Sequence, residues 1–435
     1  MFVAHTPHNF LLILHVAVCI NVSVCIHVPV PMNVAFQTDF ATAEAHRSDA
    51  LAAAPQIARV DIYDKLEAAE PAWTQLAAAD ALMTPYQRFE WVMLWHRHVT
   101  SHYGMKPLII VARDRNNAPL FLLPLMLRRA GLTTIAGFFG GRHANLNTGL
   151  WRPDIAATIT SSELYKILRD AAAQFGIDVY KLTAQPDQLP NAMRNPMALL
   201  PRQPAPDDVY VLTLDGKPGP EALKACLSGT MRGRLRTKER KLQALPGYRF
   251  FRAQTPAEVD RVFEAFVAQK AAHLTSQGIS NIFDDPEASA FLRSACHQGL
   301  AEGKPVIELF ALEGGGEVIA VFGGVNDGQR LSCMFNSYTL GEAGRWSPGL
   351  ILLTNLISYC ADNKITYFDL GAGYSFYKTL FCKEYENVFD TIVGMTMIGR
   401  VAAIGLRLAR AAKRELKANP ALWSRFMSLR QMVKP

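Results

Sequence analysis

Three side chains able to move or hold protons gather around a glycine-rich turn: Asp369, Tyr377 and Lys378, in Phe368-Asp-Leu-Gly-Ala-Gly-x3-Tyr-Lys-x2-Phe381. A carboxylate at the end of an apolar strand can orient or deprotonate an acceptor amine. A tyrosine can protonate a departing thiolate, and a lysine can hold a phosphate or carboxylate. Each also has a plainer reading: Asp369 as a turn cap, Tyr377 as core packing, Lys378 as a solvated charge.

Just upstream runs Arg345-Trp-Ser-Pro-Gly-Leu350, leading into an apolar helix. Ser347 suits an N-cap and Pro348 the first helical position. Gly349 lets a bulky group approach the backbone. The unpaired N–H groups and the dipole then favour an anion such as the diphosphate of a coenzyme, and Arg345 adds a charge-assisted contact. Taken alone, the same residues merely start a helix.

Arg232, Arg236 and Arg240 recur every four residues in the basic segment 231–241, with Leu235 and Leu242 opposite. They form either an exposed helix face or a cradle for a phosphorylated or acidic ligand, such as a nucleotide-sugar, a lipid diphosphate or a tRNA acceptor stem. Gly140-Gly-Arg-His-Ala-Asn-Leu-Asn147 is a polar loop between apolar segments. Arg142, His143 and Asn145 can contact acceptor hydroxyls there, unless the loop is an ordinary turn. Gln87 is a similar candidate, whereas His273 reads as a structural histidine.

No GxSxG or HExxH motif occurs, and the seven cysteines are scattered without a CxxC pair. These absences point away from a covalent or metal mechanism and towards direct attack within a ternary complex. The cysteine usage fits a reducing compartment.

The elements that must position these residues alternate. The prolines at 201, 204 and 206 divide the body near residue 205. In the first half, residues 72–99 read as a helix carrying Trp91 and Trp95 on one face. A hairpin at 108–127, a helix at 161–175 and a strand at 179–182 follow. The second half gives a strand at 209–214 and helices within 220–245. A strand at 248–253 and helices at 256–274 and 286–299 come next, then a three-strand meander to 337, a helix at 349–363 and a strand at 367–370. Each half thus shows a hairpin, a helix and a strand, an α+β pseudo-repeat with mixed sheets.

The net charge of +7 is local. Residues 400–435 hold nine Lys+Arg and one Glu, leaving 36 Lys+Arg against 37 Asp+Glu elsewhere, which weakens any case for nucleic-acid binding by the body. Residues 401–416 form a basic amphipathic helix with Ile404, Leu408, Ala412 and Leu416 on one face. It can rest on an anionic membrane or dock on the protein itself. At the other end, the apolar stretch 10–30 is interrupted by His15, Asn21, Ser23, His27 and Pro29, and no Lys or Arg precedes it. The leading expectation is an extended gene start with Met32 as the natural initiator; a weak membrane anchor or a signal peptide are the alternatives. Residues 38–56 read as a disordered linker.

Ser347-Pro-Gly-Leu, Asp369-Leu-Gly-x-Gly and Tyr377-Lys-x-x-Phe381, taken with Thr84-Pro-Tyr-Gln-x3-Trp91-x3-Trp95 and the arginine run from Arg232, resemble the BioF2-like acetyltransferases. That family is often labelled CelD/BcsL, lies within the N-acetyltransferase superfamily and is related to the FemAB aminoacyltransferases. The likeness covers about residues 60–395. It implies two tandem N-acetyltransferase-like lobes, 57–205 and 206–399, after an N-terminal segment 1–56 and before a basic helical tail 400–435. It also implies an acyl-CoA donor (acetyl-CoA or longer); no metal and no DNA are expected, from the missing motifs and the charge distribution. Asp369, Tyr377 and Lys378 are then the expected catalytic residues. Arg345, Ser347, Gly349 and Leu350 are expected at the donor, and Gln87, Arg142, His143, Asn145, Arg232, Arg236 and Arg240 at the acceptor. The acceptor is expected to be an envelope or polysaccharide precursor, and the location cytoplasmic or peripheral at the inner membrane. The superfamily's diphosphate loop is shortened here to Arg345-Trp-Ser-Pro-Gly, which leaves open aminoacyl transfer from tRNA. A non-catalytic subunit of polysaccharide export is the third reading.

Overall fold

The computed structural model describes residues 56–214, 216–276 and 283–419. The expectations for the N-terminal segment and for 420–435 fall outside the described residues.

Two mixed sheets repeat one plan. The first runs Arg59–Tyr63, Lys106–Arg113, Pro119–Ala130, Thr133–Phe138, Val179–Pro186, Val388–Gly394 and Arg202–Pro204, with Leu150–Trp151 beside the third strand. The second runs Arg249–Arg252, Glu308–Gly314, Glu317–Asn326, Arg330–Tyr338, Tyr367–Ala372, Val209–Thr213 and Tyr385–Glu386. In each, four antiparallel strands are followed by a helix and a strand that returns parallel to the fourth. Two helices separate the first and second strands of each lobe: Leu66–Ala78 and Phe89–Trp95 in one, Pro256–Ser276 and Pro286–His297 in the other. This is the tandem N-acetyltransferase-like α+β architecture.

The sheets do not divide at one point in the chain. Val388–Gly394, beyond the last strand of the second sheet, pairs antiparallel with Val179–Pro186 of the first sheet. The expected lobe 206–399 therefore gives up its last strand. Its strand is buried from Val388 to Val393, so it reads as an interior strand of whichever sheet receives it.

The single helix expected over 72–99 is broken. Leu66–Ala78 ends before Asp80, whose φ is +52°, and the chain restarts through a short 3₁₀ turn at Pro85–Gln87. Leu82 spends the break hydrogen-bonded to Trp151, a tertiary pairing that local periodicity does not announce.

One apolar core cluster spans both lobes. Trp91 and Trp95 stack with ring planes 2° apart, and both meet the edge of Phe291 from the second lobe, at 5.3 and 5.0 Å. Aromatic pairs of this kind are worth about 0.5–1.5 kcal/mol beyond area burial, so the lobes are held in one orientation. On the opposite face of the second sheet, the helix Pro348–Asp362 buries Ile351, Leu352, Leu353, Leu356 and Ile357. Burying each is worth roughly 1.5–3 kcal/mol, which fixes where that helix begins.

The tail helix, Met397–Ala418, docks by its basic side. Gly399 and Ala403 are buried, and Arg407 donates to the Ile392 carbonyl at 2.8 Å. Arg410 forms a two-pronged ion pair with buried Asp390, Arg414 donates to the Ala205 carbonyl, and Lys417 lies 2.6 Å from Asp207. Among the described residues, no helix is long and apolar enough to cross a membrane.

Candidate active site

The parallel strands Arg330–Tyr338 and Tyr367–Ala372 pair at only three positions: Arg330 with Tyr367, Leu331 with Phe368, and Ser332 with Asp369. Beyond these they diverge and form a fork. Met334 is bulged out of the ladder, since Cys333 and Phe335 face the adjacent Gly324 and Gly323. Divergence and bulge together leave backbone polar groups without ladder partners at the fork, where a ligand can take them.

The first lobe supplies the fork's vertex. Asn145 donates through Nδ2 to the Cys333 carbonyl at 2.7 Å and accepts from the Ala372 N–H at 3.3 Å, so one amide bridges both strands. Its Nδ2 also donates to the Tyr86 hydroxyl at 2.8 Å. Gly371 has φ +82°, and a Cβ there would stand 3.1 Å from Asn145 Nδ2 and 3.3 Å from the Cys333 carbonyl; only glycine fits. The corresponding fork of the first lobe is closed by its own chain. Thr133–Phe138 and Val179–Pro186 pair at two positions, after which Asn147 bonds the carbonyls of Thr183 and Ala184.

Asp369 is fully buried below the vertex. Its Oδ2 accepts from Ser332 at 2.8 Å and from Arg330 at 3.3 Å, and its Oδ1 from the Gly371 N–H at 2.6 Å. Arg330 also pairs with Glu386 at 2.9 Å, and Ser332 shares a hydrogen bond with Tyr86. The plainer expectation for Asp369, a turn cap, describes its geometry, because its oxygens are engaged by protein. Lys378 is likewise buried. Its ammonium donates to the carbonyls of Gly371, Ala372 and Gly373 at 3.0, 2.9 and 3.0 Å, using all three protons. It ties down the strand end rather than presenting a charge to a ligand. Tyr377 differs from both. It is half-buried, its hydroxyl accepts from Asn336 Nδ2 at 3.1 Å across the widening fork, and its own proton stays available. Burial holds the phenol well above its ordinary value, so it remains protonated. Lys270 donates to the Asn336 carbonyl at 3.3 Å, and burial lowers its affinity for a proton.

The helix Pro348–Asp362 opens beside the same strands. Ser347 does not cap it: its φ of +56° carries the hydroxyl away, and Lys238 donates to that hydroxyl at 2.7 Å. The first-turn N–H groups thus have no side-chain cap, and an ammonium stands at the helix mouth. Gly349 lies under Tyr338, where a Cβ would be 3.2 Å from the ring, and Tyr338 meets His273 edge-on at 5.5 Å. Leu350 is half-buried in the first turn. Arg345 is exposed, paired with Glu342 at 2.9 Å and set over the Trp346 ring.

The remaining expected residues separate. Gln87 is buried, its Oε1 accepting from the Thr84 N–H and hydroxyl, so it holds a turn and cannot reach an acceptor. Arg232 turns back to the carbonyls of Lys224 and Leu227, closing the preceding helix. Arg236 and Arg240 are exposed, Arg236 on a groove of about 230 Å³ beside Lys224 and Glu239. The basic helix reaches the site through Lys238 instead, two positions off the expected arginine face. His143 packs on Trp95 at 5.4 Å, and burial lowers its proton affinity, so the imidazole is neutral at physiological pH. Arg142 is exposed in the same loop. Its charge is felt at Lys413 of the tail helix, whose proton affinity falls through burial and then through Lys417. Lys181, inside the first sheet opposite Ile392, is lowered by burial and by Arg128 and Arg410. Lys417 of the same tail helix binds Asp207, and a Cβ added at Gly373 would stand 3.3 Å from Asp207 Oδ1, which brings the end of the tail helix beside the strand end. Sequence reasoning did not single out Lys181, Lys413, Asn336 or Arg330, and it met Tyr86 only as part of a motif. Their only local signal is a polar residue within an apolar strand or on a helix that pattern reading treats as surface.

Among the described residues, no group of His, Cys, Asp or Glu is placed to hold a metal, and the five described cysteines are buried thiols.

A two-lobed sheet pair with a forked strand beside an uncapped helix mouth defines a GNAT-type transferase architecture, and residues 229–379 match the family described as Acetyltransferase (GNAT) domain. FemX shares 9% identity over 79% of this chain and 100% of its own, with a TM-score of 0.56, a likeness of fold. A conserved protein of unknown function from Bacteroides thetaiotaomicron VPI-5482 aligns at 11% identity over 77% and 100%, with a TM-score of 0.48. A tandem GNAT protein from the clavulanic acid biosynthesis pathway aligns at 12% over 78% and 99%, with a TM-score of 0.42. No curated protein matches the chain.

Proposed function

We propose that the protein transfers an acyl group from a coenzyme A thioester to an amine or hydroxyl of an anionic envelope or polysaccharide precursor, as a BioF2-like (CelD/BcsL-type) acyltransferase. The observation that carries this reading is the fork: strands 330–338 and 367–372 part after three pairs, beside an uncapped helix mouth that Lys238 overlooks.

The mouth and Lys238 suit the donor's diphosphate. Backbone N–H groups at the bulge suit the oxyanion that forms when the acceptor attacks the thioester carbonyl. As the C–S bond breaks, Tyr377 hands its phenolic proton to the leaving sulfur. The acceptor's proton passes to a neutral base, for which His143, two residues from the bridging Asn145, is the candidate. Asp369 and Lys378 act as positioning residues that hold Ser332, Gly371 and the strand end in place. Arg142, exposed in the loop that carries the bridging Asn145, supplies positive charge beside the fork, which favours an acceptor bearing phosphate or carboxylate.

Aminoacyl transfer from tRNA is the second reading, favoured by the fold likeness to FemX. Isothermal titration with acetyl-CoA and with uncharged tRNA tests both. The acyl-CoA reading requires saturable acetyl-CoA binding that weakens in Lys238→Ala. Binding of tRNA alone, falling steeply with salt, would overturn it. A purely structural subunit would bind neither.

A further inference from the structure

Beneath the tail helix, the first sheet carries positive charge that its neighbours do not balance. Along Val179–Pro186 the side chains alternate. Tyr180 and Leu182 pack in the core beneath the helix Ser161–Phe175, while Val179 joins Ile135, Ile392 and Ala403 under the tail helix. Lys181 therefore shares the face of Val179. Arg128 pairs with Ile135 across neighbouring strands and lies on that face too. Gly137, alongside Lys181, adds no side chain; a Cβ there would stand 3.1 Å from the Lys181 carbonyl. The tail helix lies close to the sheet where Gly399 and Ala403 are buried. Farther along it is attached through the long side chains of Arg407, Arg410, Arg414 and Lys417. Polar reach rather than apolar packing sets its distance there, and Lys181 is half-buried in that interval.

The acids around this interval are already engaged. Asp390 accepts from Arg410 at 2.9 Å and from the Ala184 N–H at 3.0 Å, Asp207 holds Lys417, and Asp208 lies 4.0 Å from Arg414. Lys181, Lys413, Arg128 and Arg142 have no hydrogen-bond or ion-pair partner among the described residues. They nevertheless act on one another. Lys181 loses proton affinity first to burial, then to Arg128 and Arg410, with Lys413 adding to them and only Asp390 opposing. Lys413 loses it to burial and Lys417, and then, against the pull of Asp207, to Arg410 and Arg142. Two strands, one loop and the tail helix thus bring unpaired cations together. Like charges held close cost folding free energy, so a fold that gathers them without an acid suits an anion from outside. A carboxylate would leave most of that charge unbalanced. A diphosphate brings several negative charges, and the guanidinium forks of Arg128 and Arg142 match its oxygens.

We propose that Lys181, Lys413, Arg128 and Arg142 form a binding site for the diphosphate group of a ligand, between the first sheet and the tail helix. Arg142 belongs to the loop whose Asn145 bridges the fork, so this site and the fork share one element. The site does not rest on the transfer reaction, because its occupancy is read by binding alone.

The test is isothermal titration of the full chain with inorganic pyrophosphate, the ionic strength being held constant with chloride. Wild type is compared with the double variant Lys181→Gln, Lys413→Gln and with Lys238→Ala. Wild type should bind saturably, the double variant roughly tenfold or more weakly, and Lys238→Ala as wild type does. Relieved of like-charge repulsion, the double variant should melt no lower than wild type without the ion, yet lose the rise in melting temperature that the ion gives. Lys413→Gln alone, at an exposed position, should show a smaller loss in the same direction and serves where the Lys181 substitution disturbs the fold. Equal binding by wild type and the double variant, or no saturable binding by wild type, would overturn the proposal. Loss of binding in Lys238→Ala alone would overturn it too, since the ion would then sit at the helix mouth and bear on the donor reading instead. Titrations with UDP and farnesyl diphosphate identify the source, the tighter of the two marking a nucleotide-linked or a lipid-linked diphosphate.

Discussion

Asn145 in the first lobe and Cys333 in the second are joined by a 2.7 Å hydrogen bond from side-chain amide to main-chain carbonyl, at the point where the two parallel strands part. A residue of one lobe thereby sets the width of the other lobe's fork. Asn145→Ala should lower kcat/KM by about 10- to 100-fold through misplacement of the reacting groups. Loss of the bridge should cost about 1–3 kcal/mol of stability. Steady-state kinetics and thermal melting read the two effects separately.

Asp369 and Lys378 should prove more important to folding than to proton transfer. Asp369→Ala leaves Arg330 beside an empty buried site and should cost about 3–5 kcal/mol, read by chemical denaturation. Asp369→Asn should fold and keep the acidic limb of the pH–rate profile. A lost limb would restore Asp369 as the base.

Tyr377→Phe removes the proton available to the leaving sulfur while leaving the ring in place. The expected result is a fall in kcat of about 10²- to 10⁴-fold with little change in KM. Thioesters of more acidic thiols should recover much of the rate, because their leaving groups need no proton.

Lys238→Ala should raise KM for acyl-CoA about tenfold, the worth of one charged hydrogen bond. An acyl-pantetheine donor, which lacks the diphosphate, should be indifferent to the substitution.

Burial raises the pKa of Glu308, only partly opposed by Arg252, and one of its oxygens has no hydrogen-bond partner among the described residues. A carboxyl raised in the folded state destabilises the fold as pH climbs above its ordinary value of 4.5, because the folded chain then holds a proton that the unfolded chain releases. Glu308→Gln should therefore melt above wild type at neutral pH, and the gap should close as the pH falls towards 4.5. Differential scanning calorimetry across that range measures it.

Most elements were legible because their apolar spacing is local. The meander, the helix Pro348–Asp362 and the strand before Asp369 follow from period and turn residues alone. The site was legible as a region but not in its roles. Lys378 reads as a surface charge or ligand contact until the three carbonyls around it are known, and those come from the turn's own backbone. Arg232 and Lys238 share one basic run, yet a rotation of the helix decides that one closes the preceding helix and the other reaches Ser347. Asn145 lies 188 residues from Cys333, and no local pattern encodes such a pairing. The tail helix shows the same limit: its two faces were clear in sequence, but which one met the body depended on Asp390 in the preceding strand and on Asp207, 210 residues from its partner Lys417.

Val388–Gly394 sits between Val179–Pro186 and Arg202–Pro204 in the first sheet, so the lobe made first at the ribosome lacks an interior strand until nearly the whole polypeptide has emerged. Until then its edge exposes unpaired backbone, a surface open to wrong pairing. Premature termination before residue 388 would leave the first sheet incomplete even where every strand of the second had been made, and a separately expressed first half would lack an interior strand.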